Sequence, residues 1–85
     1  MKIAPPTIHL NGTSKRNLVA EYTQAYDLCC DAIEAFQKIT CHPRDYYVQE
    51  AGAYEKAYDD RMKMLAKLAV VNDYLLQHLI HLDND

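Results

Sequence analysis

The chain reads as an all-α protein: an antiparallel two-helix hairpin with an extended N-terminal arm, assembling as an oligomer into a helical bundle. Three observations predict this. Apolar residues recur in alternating steps of four and three along two long segments, the period of a helix face. Chain-breaking residues are few, two glycines and three prolines in 85 residues, and they fall at the edges of those segments. The second segment is apolar around most of its circumference, so a single partner helix cannot cover it.

Residues 1–12 form the arm, which Pro5 and Pro6 keep from being helical. Thr13 or Ser14 then supplies an N-cap, its hydroxyl accepting from a free amide of the first turn. A first helix is expected over residues 14–40, with Leu18, Tyr22, Ala25, Cys29, Ala32, Phe36 and Ile39 as its seam. Pro43 biases His42 away from helical geometry and ends it. Residues 41–49 are the hinge. A second helix is expected over 50–82, with a seam through Tyr54, Tyr58, Arg61, Leu65, Leu68, Asn72, Leu75, Leu79 and Leu82. Within that seam Arg61 and Asn72 read as polar residues that set register. Two long helices and one short connection give a single hairpin domain, residues 1–85. Met62, Met64, Ala66, Ala69, Val70, Val71, Tyr74, Leu76 and Ile80 lie outside the seam. Covering them calls for a second hairpin, in a dimer or higher oligomer, or for the arm to fold back over the extra face.

Composition narrows the function classes. Apolar residues at 49% argue against disorder, and a net charge of −3 gives no general attraction for nucleic acid or an anionic membrane. The expectation is therefore no membrane segment and no extended nucleic-acid surface. Three cysteines, two of them adjacent (Cys29, Cys30) and one apart (Cys41), do not form a paired framework and fit a reduced, cytoplasmic protein. The opening "MKIAPPTIHL" carries no apolar run of signal-peptide length.

Two segments are candidate binding sites. In "HLNGTSKRNL", Lys15 and Arg16 stand in a first helical turn, where the dipole is already positive and acidic residues are the usual choice. With Thr13, Ser14 and the unpartnered amides of that turn they describe a phosphate or carboxylate site, or simply a capped helix with solvated bases. The glycine spacing of a P-loop is absent. In the hinge, Arg44, Tyr46 and Tyr47 can stack on a base and fork a phosphate, or form a protein-binding hot spot. Alternatively one tyrosine plugs the end of the hairpin. A helix of about 26 residues spans about 39 Å, so the two segments can meet only between subunits packed head to tail.

Other groups point to less. His78 and His81 are spaced i, i+3 without a metal motif, so they read as basic groups near a helix C-terminus and no metal or other cofactor is expected. Glu55, Asp59 and Asp60 are spaced for ion pairs with Lys56, Lys63 and Arg61 on a solvated face. No nucleophile–base pair with an orienting third group is apparent, so no catalytic residue is assigned and the protein is not expected to be an enzyme.

The combination of "IHLNGTS" before the first helix, "RDYY" at the hinge and "GAYEKAYDDR" opening the second helix resembles small bacteriophage proteins. The likeness runs from Ile8 to about Leu76, with Val48 standing where proline is expected. It implies expression in the cytoplasm of an infected bacterium. The leading expectation is a phage-encoded, non-catalytic oligomer that binds and inhibits a host factor, such as one serving host defence. Alternatives are a sponge that sequesters a signalling (cyclic) nucleotide at inter-subunit pockets, and a structural or assembly protein of the virion.

Overall fold

The computed structural model describes residues 2–84, in which the regular elements are all helical. Helix α1 spans Lys15–Gln37, a single 3₁₀ turn spans Pro43–Asp45, and helix α2 spans Ala53–Asp83. The two α-helices pack against each other as an antiparallel hairpin. The molecule is a rod of 62 × 21 × 18 Å with a radius of gyration of 18.5 Å. A compact chain of this length would have a radius near 12 Å.

Each helix end has an identifiable cause. Ser14 is the N-cap of α1, its Oγ accepting from the Asn17 amide at 3.1 Å. The helix closes at Gln37, ahead of the expected Thr40, because the Lys38 and Ile39 amides turn back onto the carbonyls of Ala35 and Phe36. Arg61 then takes the freed carbonyls of Gln37 and Ile39. The start of α2 lies at Ala53, later than the expected residue 50. Gly52 has φ +88°, a left-handed conformation that glycine adopts without the Cβ penalty, and it bars the helix from extending backwards.

Packing is thin except at one end. Most seam residues are half-buried, as expected where one helix meets one other helix. Among the described residues full burial is confined to Leu82 and His78, where α2 finishes beside the beginning of α1. Ile3, Pro6 and Ile8 of the arm are half-buried. Along the rest of α2, Met62, Met64, Val70, Val71 and Ile80 remain 42–55% exposed. Met64 and Val71 flank the seam on one side and Met62 and Ile80 on the other, as their spacing at 100° per residue requires.

The two polar seam residues have specific partners. Asn72 Nδ2 donates to Cys30 Sγ at 3.3 Å across the hairpin, which ties one layer of α2 to one layer of α1. Arg61 does more than set register. Its guanidinium caps the C-terminus of α1, and α1 has no basic residue of its own in its last turn. Of the expected ion pairs on the outer face, Lys56–Asp60 (3.0 Å) and Lys63–Asp59 (2.9 Å) form, while Arg61 faces inward.

Candidate functional site

The predicted binding residues divide between the two ends of the rod. Thr13, Ser14 and Arg16 are exposed at the start of α1, and Lys15 is half-buried beside them. Lys15 and Val19 line an open groove of about 650 Å³ with Leu79, Ile80, Asp83 and Asn84 of α2. This placement accounts for a base in a positive first turn. The antiparallel partner ends here, so the negative pole of α2 and the Asp83 carboxylate lie across the groove from the positive pole of α1. At the other end a base of α2 serves the negative pole of α1 by direct hydrogen bonding, Arg61 donating to the Gln37 carbonyl. Lys15 is thus placed for its neighbour helix and not for its own.

At the hinge, local hydrogen bonds fold the chain into a tight body. The His42 side chain caps the 3₁₀ turn, Nδ1 accepting from the Arg44 amide at 3.0 Å. The Asp45 amide donates to His42 O (3.0 Å), Tyr46 to Pro43 O (2.9 Å) and Gln49 to Tyr46 O (2.9 Å). Tyr46 is thereby turned inward and half-buried against Tyr54, ring centroids 6.2 Å apart and tilted by 60°. Tyr54 in turn meets Tyr58 at 6.2 Å. Tyr47 points out and is 77% exposed, and Arg44 is exposed as well.

The result is a hollow of about 400 Å³ walled by Tyr46, Tyr47 and Tyr54, floored by Ala51–Ala53 and edged by Glu50 and Glu55. The aromatic plug and the aromatic platform, alternatives from the sequence, are both present: Tyr46 plugs and Tyr47 stands free. Among the described residues no cation lines the hollow. Its chemistry suits a flat ring with amino groups, which tyrosines can stack on and carboxylates can accept from. A single chain does not unite the hinge with Lys15 and Arg16, because the 23 residues of α1 hold them about 34 Å apart.

A third cluster escaped sequence reasoning. His78 is buried at 2% exposure, its ring stacked on Tyr22 at 4.6 Å with 10° between planes and tilted against Tyr74 at 4.4 Å. Its Nδ1 lies 2.8 Å from Tyr74 O. The expectation that His78 serves as a basic group for the α2 dipole is corrected: it is a core ring. Burial, followed by the neighbouring Tyr74 and Glu21, raises the Tyr22 phenol above its ordinary value. Tyr26 is also raised, first by its hydrogen bond with Cys30. The signal available in the sequence was the i, i+4 pair Tyr74/His78 on a seam edge, which spacing alone does not distinguish from a solvated pair.

Among the described residues no group of three or more His, Cys, Asp or Glu side chains is arranged to hold a metal ion. Among them, too, no helix is long and apolar enough to cross a membrane. No family model, characterised protein or solved structure matches the chain.

Proposed function

We propose that the protein is a non-catalytic binding protein that assembles with copies of itself and sequesters a small nucleotide between them. The observation that carries this reading is the hinge hollow, about 400 Å³ with three tyrosines and two carboxylates on its walls. That volume falls in the range of small-ligand sites, whereas a protein-binding hot spot sits within a broad patch of buried area. A host protein gripped by Arg44, Tyr46 and Tyr47 was the leading expectation from sequence, and the concave shape moves the preference to the nucleotide. The resemblance to small bacteriophage proteins extends the proposal to its setting, a phage product that lowers the level of a bacterial defence signal in the infected cytoplasm.

Assembly is proposed on area. The chain has 6483 Å² of accessible surface, whereas a compact monomer of 9.8 kDa has about 5,200 Å². The excess of about 1,300 Å² per chain is more than the roughly 800 Å² that a standard protein interface removes from each partner. A second copy is the occupant that supplies matching apolar flanks and also completes the ligand site. The hollow holds no cation among the described residues, so phosphate groups need one from elsewhere. In a head-to-tail pair, Ser14, Lys15 and Arg16 of one copy reach the Arg44, Tyr46 and Tyr47 end of the other.

Thermal unfolding with a panel of cyclic nucleotides tests this. A ligand at one hundred times its Kd adds about 2.7 kcal/mol to the native state, several degrees in midpoint. Tyr47→Ala should remove the shift. If no nucleotide moves the midpoint while Tyr47→Ala loses a protein captured from bacterial lysate, the host-factor reading replaces this one.

A further inference from the structure

The geometry points to Arg61 as the positioning residue of the hinge hollow: it sets where the hinge sits without touching what the hollow binds. From His42 to Gln49 the hinge is bonded to itself, through His42 Nδ1, His42 O, Pro43 O and Tyr46 O. Such a body holds its own shape, but those bonds do not fix its place against the helices. Between it and α1 lies the short link Lys38–Cys41. Arg61 clamps this link to the end of α1 from α2, with Nη2 donating to Gln37 O at 2.6 Å and Nη1 donating to Ile39 O. The planar fork spans both carbonyls at once, which a lysine ammonium on its flexible stem does not reproduce.

The grip reaches the hollow through one shared ring. Arg61 lines a small cavity of about 130 Å³ with Phe36, Ile39, Thr40, Cys41, Ala57 and Tyr46. Tyr46 is also a wall of the larger hollow, where it meets Tyr54. Arg61 is not among the residues lining that hollow. Moving the link therefore moves the Tyr46 wall, although the arginine itself is out of reach of a ligand there.

The test uses the full chain with Arg61→Lys and Arg61→Ala. Proton cross-peaks between the Tyr46 and Tyr54 rings report the hollow, and those between Tyr22 and His78 report the fold at the far end. Loss of the Tyr46–Tyr54 cross-peaks in Arg61→Ala, and at least a halving in Arg61→Lys, with Tyr22–His78 retained, is the expected result. Undiminished Tyr46–Tyr54 cross-peaks in either folded variant would overturn the assignment. Should Arg61→Ala unfold, Arg61→Lys decides alone, because it keeps the charge and the stem. The consequence for binding rests on the nucleotide reading and is measured separately with cyclic di-AMP as probe. Affinity should fall at least about tenfold in Arg61→Ala, a step worth about 1.4 kcal/mol. A wild-type protein that ignores cyclic di-AMP counts against that nucleotide and leaves the cross-peak result standing.

Discussion

His78 offers the sharpest stability prediction, because its ring and its hydrogen bond can be removed separately. His78→Ala deletes a ring that is 2% exposed and lies against both Tyr22 and Tyr74. Each aromatic contact contributes about 0.5–1.5 kcal/mol beyond area burial, and the void adds to the loss. The expected cost is about 2–4 kcal/mol. His78→Phe keeps both ring contacts and loses only the Nδ1 bond to Tyr74 O. That carbonyl also takes the residue-78 amide in the regular helical ladder, so it is not orphaned, and the cost should be about 0.5–1.5 kcal/mol. Urea unfolding at matched protomer concentration measures both, since assembly would otherwise shift the midpoints. Equal costs for Phe and Ala, or an Ala cost below about 0.5 kcal/mol, would refute the claim that a packed ring holds this end together.

Three further outcomes follow from single features. Ser14→Ala removes the N-cap bond to the Asn17 amide and should cost about 1 kcal/mol in the same urea assay, with Ser14→Asp close to wild type. Gly52→Ala should cost about 1–2 kcal/mol purely through its backbone, since φ is +88° and nothing lies within 4 Å of the added Cβ; Gly52→Asn should cost less. The raised Tyr22 phenol means that the folded state holds that proton more tightly than the unfolded chain. Its contribution is therefore complete below about pH 10, the unfolded value, and is lost as pH climbs through the higher folded value. Stability measured from pH 9 upward should fall less steeply in Tyr22→Phe than in wild type.

The helical hairpin was legible because its signals are local: seam spacing, an N-cap at Ser14, and Pro43 after the first helix. Its exact ends were less so. Gln37 is set by the Lys38 and Ile39 amides turning back, with Arg61 reaching across 24 residues to take a freed carbonyl, and Ala53 by a left-handed Gly52; neither leaves a periodic trace. The same limit hid the charge logic of Lys15, which looks misplaced on α1 alone and makes sense only beside the C-terminus of α2. Sequence identified Arg44, Tyr46 and Tyr47 as hinge candidates, yet it could not say that Tyr46 turns inward and Tyr47 outward. That split comes from hydrogen bonds of the 3₁₀ turn. His78 was missed because its burial depends on Tyr22 of the other helix stacking on its ring, a tertiary fact.

Native mass spectrometry of the protein mixed with cyclic nucleotides tests sequestration between copies most directly. A particle of at least two 9.8 kDa chains carrying an intact, chemically unchanged nucleotide is the predicted result. A bare 9.8 kDa monomer, or a nucleotide recovered as a cleaved product, would contradict it.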